Sequence, residues 1–215
     1  MKIIGLTGFA KSGKSTAADI LKSLGGQEVA FAKHLKDVCS AVFGINRDHF
    51  DNQAFKEVHF AFCQTITKND IEKILTYFEV PERFFPETII KHQNTVLNSP
   101  RHVAQYIGTE VLRTIDQNIH VDMAFKLAGS SNAPFLICSD VRFMNELLAV
   151  KNANGLMIGI SRLKAIPADL VNLHPSEKEI PDLISKSMFI ATNESSIEEF
   201  QAKIQLRVSD YLLGK

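Results

Sequence analysis

One short glycine-rich turn constrains this chain more than any other stretch of its sequence. An apolar run at residues 2–7 precedes the turn, and an amphipathic segment at residues 16–22 follows it. The turn itself reads Gly8-x-x-x-x-Gly13-Lys14-Ser15. This spacing is the P-loop pattern, which joins a buried strand to a helix and binds phosphate groups. The sequence therefore predicts a nucleoside triphosphate site near the start of the chain.

Each residue type in the turn has a physical role. Gly8 and Gly13 permit backbone angles closed to other residues, so that successive amide N–H groups point at phosphate oxygens. The ammonium of Lys14 reaches the β- and γ-phosphates, and the hydroxyl of Ser15 is a ligand for Mg²⁺. The helix dipole adds to the attraction. An accidental glycine turn is the alternative, and the flanking strand and helix patterns count against it. The residues assigned to the nucleotide are Gly8, Lys11, Ser12, Gly13, Lys14, Ser15 and Thr16.

Composition limits the size and the partners of the protein. With 215 residues, 45% of them hydrophobic, the chain is long enough for one domain with an insertion. The 24 basic residues balance the 24 acidic ones, so no overall field favours nucleic acid or a membrane. Without an apolar run of about 18 residues or a leader pattern, we expect a cytoplasmic protein. Cys39, Cys63 and Cys138 are predicted to be reduced core thiols.

Short apolar runs alternate with helical patterns along most of the chain, which is typical of an α/β fold. We predict a three-layer P-loop fold with a five-stranded parallel sheet flanked by helices, in a single domain covering residues 1–215. The predicted strands are the run at 2–7, Val29–Ala32, Pro134–Asp140, Leu156–Ser161 and Met188–Thr192. Residues 46–99 are predicted to be a mostly helical insertion. Residues 162–183, polar and proline-bearing, are predicted to form a short lid loop over the reactants.

Phenylalanine is frequent in the predicted insertion. The phenylalanines in this segment are Phe50, Phe55, Phe60, Phe62, Phe78, Phe84 and Phe85. Such rings stack on nucleotide bases, but at helical spacing local core packing is the commoner explanation.

A long helix is predicted after Pro100, and one of its faces is polar. The polar positions are Arg101, Gln105, Thr109 and Arg113. A solvated face is one interpretation. A substrate-facing one is favoured by Gly108, because glycine inside a helix costs about 1 kcal/mol relative to alanine and implies a close approach by a ligand or by a neighbouring helix.

The third predicted strand ends in an acid, Asp140, as the strand of a Walker B motif does. Partly burying charged side chains at a sheet edge costs free energy unless they form ion pairs or bind a ligand. Asp140 is therefore assigned to Mg²⁺ and Arg142 to a phosphate, with a purely structural ion pair between them as the alternative. Arg162 follows the fourth strand directly, and His174, in the predicted lid, is either a general base or part of the lid structure.

Taken together, these segments resemble the deoxynucleoside monophosphate kinases of the bacteriophage type. The matching segments, in the same order along the chain, are 8–15, Phe31-Ala32-Lys33-x-Leu35-Lys36, Gln105-x-x-Gly108-Thr109-Glu110, Asp140-x-Arg142-x-x-Asn145-Glu146, His174-x-Ser176-Glu177 and Thr192-Asn193-Glu194. The insertion at 46–99 is not matched. Only the P-loop is specific by itself, and the others gain weight from their order.

The resemblance implies transfer of the γ-phosphoryl group of ATP to a deoxynucleoside 5′-monophosphate, with Mg²⁺. It assigns Lys14 and Arg162 to transition-state charge and Asn193 to the neighbourhood of the ATP base. Residues assigned to the acceptor are Lys36, Arg101, Gln105, Gly108, Thr109, Arg113, Arg142 and Glu146. It also suggests a homodimer with a small-molecule nucleotide as substrate. The alternatives are another small-molecule kinase, such as one acting on dephospho-coenzyme A, a P-loop switch protein, and an inert nucleotide-binding module.

Overall fold

The computed structural model describes residues 1–56, 63–129, 131–169 and 175–214. Phe60, Phe62 and His174 lie outside the described residues. The chain forms two compact units, of which the first comprises Met1–Phe31 with Ala124–Lys215 and the second comprises Ala32–Met123. The second unit therefore begins before residue 46, where the insertion was predicted to start. In the described part of the chain, none of the helices has the length and apolar character needed to cross a membrane.

The elements follow one another as strands and helices throughout the chain. In chain order they are β1 (Lys2–Thr7), α1 (Lys14–Ser23), β2 (Gln27–Glu28), α2 (Phe31–Phe43), α3 (Gln53–Lys56), β3 (Gln64–Thr65), α4 (Lys68–Tyr77), α5 (Phe85–His92), β4 (Val96–Leu97), α6 (Pro100–Gln105), α7 (Arg113–Ile115), α8 (Ile119–Ala128), β5 (Phe135–Cys138), α9 (Met144–Asn152), β6 (Leu156–Ser161), α10 (Pro175–Lys178), α11 (Ile180–Ser185), β7 (Phe189–Thr192) and α12 (Ile197–Leu213). A π-helix, Tyr106–Leu112, joins α6 to α7, and short 3₁₀ turns are Arg47–Phe50, Glu82–Phe84 and Leu163–Ala165.

The first unit is built on a five-stranded parallel sheet with the strand order β2-β5-β1-β6-β7. In the central strand, Ile4 pairs with Ile137 of β5 and with Leu156 of β6. Because all five strands are parallel, their carboxyl ends lie at the same edge of the sheet. The predicted α/β fold with a five-stranded parallel sheet is confirmed.

Side chains alternate between the two faces of the sheet, and each face is covered by helices. Ile4 and Leu6 belong to a core with α1 and α12, which contribute Leu21 and Phe200. On the other face, β1 and β6 pack against α9 and α11. Gly159 faces that layer, since a Cβ built on it would lie 3.2 Å from the Cα of Ile184 in α11. The unit therefore has three layers, as predicted.

One predicted strand is wrong. Residues 29–32 were expected to be extended, but β2 is only Gln27–Glu28 and α2 already begins at Phe31. The apolar positions Phe31, Leu35 and Val38 are all buried and follow the helical spacing i, i+4, i+7. The helical period of α2 thus extends back into the short apolar run, which by itself fits a strand equally well.

The second unit is mostly helical around its own apolar core. A short antiparallel pair, β3 with β4, is its sheet. Phe50 and Phe78 are buried in the core, and Phe84 and Phe85 pack against it. Core packing therefore explains these four rings, whereas Phe55 is 47% exposed and stacks on His49. The core-thiol prediction holds for Cys39 and Cys138 but is wrong for Cys63, which is exposed.

A buried histidine connects two helical segments of this unit. His120 is 4% exposed, and its Nε2–H donates to the carbonyl oxygen of Gly108 in the π-helix (3.1 Å). Its Nδ1 is buried without a hydrogen-bond partner among the described residues. Burial lowers the pKa of His120 to about 4. The imidazole is therefore neutral in the folded protein at neutral pH.

This histidine makes stability depend on pH. As pH falls below about 6.5, His120 gains a proton in the unfolded chain but not in the folded one, so the free energy of unfolding decreases until about pH 4. Between pH 7 and pH 5 we expect His120 to contribute a loss of roughly 2 kcal/mol. Urea unfolding of His120→Asn at both pH values should show a correspondingly smaller difference than the wild type. His49→Asn, at a partly exposed site, is the control, and an unchanged pH dependence in His120→Asn would contradict the assignment.

Candidate functional site

The turn after β1 has a backbone conformation that requires glycine at two positions. Gly8 and Gly13 have φ angles of +155° and +113°, and Lys11, between them, has a φ of +63°. A Cβ on Gly8 would lie 2.6 Å from the backbone oxygen of Ile160 in β6, which leaves no room for a side chain. The helix α1 begins directly after Gly13, and its first turn contains no acidic residue. The first amides of α1 and its dipole therefore favour an anion at this end.

Asn193, which follows the edge strand β7, supports the turn from across the sheet edge. Its Nδ2 donates to the carbonyl oxygen of Ser12 (2.8 Å). A Cβ on Gly13 would lie 2.4 Å from the same nitrogen. The sequence did not indicate this supporting contact, since its two partners are far apart in the chain. The contact of Asn193 with a nucleotide base stays a prediction.

We expect Gly13→Ala to destabilise the first unit, because alanine would adopt a strained backbone angle and also collide with Asn193. The backbone strain alone costs about 1–3 kcal/mol. Gly44→Ala is a matched control, since Gly44 also has a positive φ, +65°, but has open space around its Cα. Urea unfolding should give the larger loss for Gly13→Ala. Equal losses in the two variants would show that Asn193 yields to the new methyl group.

Lys14 bends back over the turn. Its Nζ donates to the carbonyl oxygens of Gly8 (2.7 Å) and Phe9 (3.0 Å). Burial lowers the pKa of Lys14, and Arg142 lowers it further, while Asp140 and Glu177 oppose the shift. These two hydrogen bonds hold the ammonium against the turn, where the oxygens of a bound phosphate would contact it. Ser15 is exposed in the first turn of α1, Thr16 is partly buried beside it, and Ser12 is buried within the loop.

An ion-pair cluster lies at the same sheet edge, just after β5. Asp140 Oδ2 accepts a hydrogen bond from Arg142 Nε at 2.6 Å. On its other side Arg142 Nη1 lies 3.8 Å from Glu177 Oε1. Burial opposes the charge of Arg142, but Asp140, Glu177 and Glu146 outweigh it and raise its pKa. The alternative of a structural Asp140–Arg142 pair is thus observed, and it uses only one oxygen of Asp140.

The backbone of this cluster is held by two further carboxylates. Glu146, which is 3% exposed, accepts hydrogen bonds from the amides of Arg142 (2.8 Å) and Phe143 (3.2 Å). Glu179 accepts one from the amide of Met144 (2.6 Å). Glu146 was predicted to contact the acceptor. Its observed bonds give it a structural role, and substrate contact stays a prediction.

Three buried oxygen atoms at this edge have no hydrogen-bond partner within the described residues. They are Thr7 Oγ1, Ser12 Oγ and Asp140 Oδ1. Buried polar atoms of this kind are normally satisfied by water, ions or ligands. Hydroxyl and carboxylate oxygens are the donors that Mg²⁺ prefers, so the chemistry of Asp140, together with exposed Ser15, fits that ion. No group of three or more His, Cys, Asp or Glu side chains that could hold a metal was found in the described parts of the chain. A bound Mg²⁺ would therefore take much of its coordination from phosphate and water.

Arg162 follows β6 and lies beside the P-loop. Its Nη1 is 3.4 Å from the carbonyl oxygen of Lys11. Glu194 accepts a hydrogen bond from the amide of Leu163, which ties the start of the predicted lid to the loop after β7. Later in residues 162–183, α11 buries Ile180 and Leu183 in the unit. The last part of the predicted lid is thus packed helix, and a closing movement of the rest stays a prediction.

The second unit contains the other residues predicted to bind the acceptor. Lys36 pairs with Asp51 at 2.6 Å, and Arg47 pairs with Asp51 and Asp37, both at 2.5 Å. Lys36 therefore belongs to a partly exposed charge network, in which each pair contributes little stability because solvent screens it. A phosphate would compete with Asp51 for this lysine.

The polar helix of this unit is interrupted by the π-helix at 106–112. Gly108 lies inside it, and a Cβ there would be 2.7 Å from Leu35 Cδ2 and 3.5 Å from His120 Nε2. A close approach by neighbouring segments, one of the two explanations for this glycine, therefore applies. Among the polar positions of this helix, Arg101 is exposed, whereas Gln105, Thr109 and Arg113 are partly buried. Arg113 Nη1 donates to the carbonyl oxygen of Gln117 (3.2 Å).

Sequence reasoning missed Thr7 and Glu179. Thr7 ends β1 and is fully buried, and its hydroxyl at the end of an otherwise apolar strand is the signal that could have indicated it. Glu179 gives no such signal, because it lies in a charged, proline-bearing stretch where most carboxylates are solvated.

A viral protein is similar to this chain over nearly its whole length. It is the protein of Acanthamoeba polyphaga mimivirus named "Putative deoxynucleotide monophosphate kinase", which is 30% identical over 218 residues, covering 95% of this chain and 94% of the viral one. No protein-family model matches the chain.

Solved structures similar to this chain are much more distant in sequence. A crystal structure of a Thermus thermophilus protein has a TM-score of 0.50 at 14% identity and covers 97% of each chain. The dephospho-CoA kinase from Campylobacter jejuni has a TM-score of 0.49 at 16% identity, covering 100% of this chain and 99% of that one. The likeness to the Thermus thermophilus structure concerns the fold alone.

Proposed function

This chain belongs to the deoxynucleotide monophosphate kinase family, and on that premise we propose that it phosphorylates deoxynucleoside 5′-monophosphates with ATP. An oxygen of the acceptor phosphate attacks the γ-phosphorus of ATP, the bond to the β-phosphate oxygen breaks, and ADP leaves. The observation that carries the proposal is that the P-loop follows β1 while the Asp140–Arg142 pair follows β5, the strand that pairs with β1 in parallel, so that both lie at one edge of the sheet. Such an edge is where parallel α/β folds bind their ligands.

The donor side of the reaction is assigned to the P-loop. The amides of residues 8–15 would hold the phosphates, and Lys14 would exchange its two carbonyl partners for phosphate oxygens. Ser15 and Asp140 would hold Mg²⁺, which supplies charge neutralisation and orientation of the phosphates when it is bound. Arg162, whose Nη1 lies 3.4 Å from the carbonyl oxygen of Lys11, is proposed to add a further positive charge.

The acceptor phosphate is assigned to Arg142. A guanidinium held on one side by Asp140 presents its remaining N–H groups in a planar fork that suits a phosphate. On the family resemblance, Lys36, Arg101, Gln105, Thr109 and Arg113 are also proposed to contact the acceptor nucleotide. Because positioning and charge neutralisation dominate phosphoryl transfer, no general base is required.

The proposal is tested by a coupled assay of ADP release. The reaction contains ATP, Mg²⁺ and one member of a panel of deoxy- and ribonucleoside monophosphates, with dephospho-coenzyme A and an acceptor-free mixture in parallel. We expect turnover that depends on a deoxynucleoside monophosphate. Equal ADP release with every acceptor and with none would refute a kinase reaction, and turnover with dephospho-coenzyme A alone would assign a different acceptor.

The proposal also covers the partners, the location and the oligomeric state of the protein. A kinase of this type acts on a small-molecule nucleotide and needs neither nucleic acid nor a membrane, and we propose a cytoplasmic location. A homodimer is proposed from the family resemblance, and light scattering of the purified protein measures it directly.

A further inference from the structure

Three consecutive backbone amides lead into α9, and two carboxylates from different segments bind all three. Glu146, within α9 itself, accepts from the amides of Arg142 and Phe143. Glu179, which precedes α11, accepts from the amide of Met144 at 2.6 Å. The backbone that carries Arg142 is thus held from α9, the helix that follows it, and from a segment more than thirty positions later.

The position of Glu179 is itself fixed by the core. It is the N-cap residue of α11, and its carbonyl oxygen accepts from the amide of Leu183 (2.9 Å). Ile180 and Leu183 are 1% and 0% exposed, and α11 packs against β1 and β6. The carboxylate of Glu179 is therefore presented from a rigid element, and it meets the positive end of α9, where a negative charge is favoured.

Glu179 and Glu177 act on different parts of Arg142. Glu177 faces the guanidinium, with 3.8 Å between Oε1 and Nη1. Glu179 instead binds the backbone two residues further on. Asp140 also bonds the guanidinium at Nε. With that end held, the direction in which the other N–H groups of the guanidinium point depends on the position of the backbone at residues 142–144.

We propose that Glu179 is a positioning residue, which holds the backbone at Met144 so that Arg142 points its guanidinium at the acceptor phosphate. The assignment rests on the proposed function, in which Arg142 binds that phosphate. It extends the site to a carboxylate that touches neither nucleotide and that reaches Arg142 only through the main chain.

The sign of the effect separates positioning from simple electrostatics. A negative charge near an anion site weakens anion binding, so removing Glu179 would tighten acceptor binding if its field were what mattered. If Glu179 positions Arg142, its removal weakens acceptor binding. Glutamine keeps an oxygen that accepts the Met144 N–H but has no charge, so Glu179→Gln should retain most of the wild-type behaviour.

The test compares Glu179→Ala, Glu179→Gln and the matched control Asp182→Asn, an exposed acid in the same helix. For Glu179→Ala we expect the KM for the deoxynucleoside monophosphate to rise about tenfold, as for loss of a charge-assisted hydrogen bond, with the KM for ATP within about twofold. Glu179→Gln should recover most of this loss, and Asp182→Asn should match the wild type. An unchanged or lowered acceptor KM in Glu179→Ala, or an equal rise in both KM values, would overturn the proposal.

Amide hydrogen exchange gives a readout that needs no turnover. In Glu179→Ala the amides of residues 142–144 should exchange faster than in Asp182→Asn, while β1 and α1 remain protected. If the wild type shows no acceptor-dependent turnover, the proposed function fails, whereas unchanged exchange at residues 142–144 refutes the positioning role by itself. Urea unfolding of each variant identifies any general loss of stability.

Discussion

Replacing Lys14 by alanine is expected to lower kcat by about a hundredfold to a thousandfold, the usual effect of removing one preorganised charge or donor from a transition state. The ammonium is partly buried, and its pKa is lowered by that burial. A charge in such a partly desolvated place acts more strongly on a migrating phosphoryl group than an exposed one. The measurement is steady-state turnover with saturating ATP and acceptor.

Lys22→Ala is the matched control, because Lys22 lies in the same helix but pairs with Asp19 and Glu28 at the surface. It should keep wild-type turnover. Nucleotide binding by calorimetry and urea unfolding accompany the assay, since Lys14 also bonds two carbonyl groups of the P-loop. A Lys14→Ala enzyme that retains kcat and loses only affinity for ATP would contradict a role in the transition state.

Arg142→Ala is expected to raise the KM for the acceptor with a smaller change in the KM for ATP. Charge-assisted hydrogen bonds contribute about 1.5–3 kcal/mol each, so kcat/KM for the acceptor should fall roughly 10- to 150-fold for each bond lost. The variant also leaves Asp140 and Glu177 without their cation, and their charges would repel a phosphate. Initial rates over a grid of ATP and acceptor concentrations separate the two KM values.

Two further variants define the role of this arginine. Arg142→Lys should recover little, because an ammonium cannot reproduce the planar fork that bonds Asp140 and a phosphate together. Arg83→Ala removes an exposed arginine that lies over the ring of Phe84 and serves as the control. If Arg142→Ala keeps the acceptor dependence of the wild type, the assignment of the acceptor phosphate to Arg142 is wrong.

Much of the fold followed from local patterns. Buried parallel strands are continuous apolar runs, and the runs that became β1, β5, β6 and β7 were each bounded by turn or charged residues. The N-cap of α12 is Ser196, whose hydroxyl accepts a hydrogen bond from the amide of Glu199 (3.3 Å). The run at 29–32 was misassigned because four apolar residues fit either period, and only the burial of Phe31 with Leu35 and Val38 decides for the helix.

Some features of the candidate site could likewise be predicted from the sequence, and others could not. The P-loop could be predicted because its function depends on backbone angles and spacing within eight consecutive residues. Asp140 could be predicted because an acid directly after a buried strand has a known place in the sheet. The observed role of Gly108 could not, since the polar pattern around it suited a ligand as well as Leu35 and His120.

By itself, the sequence determined the strand–turn–helix that binds phosphate, the parallel α/β class and the family, because each of these is encoded in short-range periodicity or in a motif. The tertiary structure alone decided that Asn193 donates to the carbonyl oxygen of Ser12 in the P-loop and that Glu179 holds the backbone beside Arg142. Hydrogen bonds between distant segments form only after the sheet has brought its strand ends together. No local pattern records which carboxylate or amide will then be within reach.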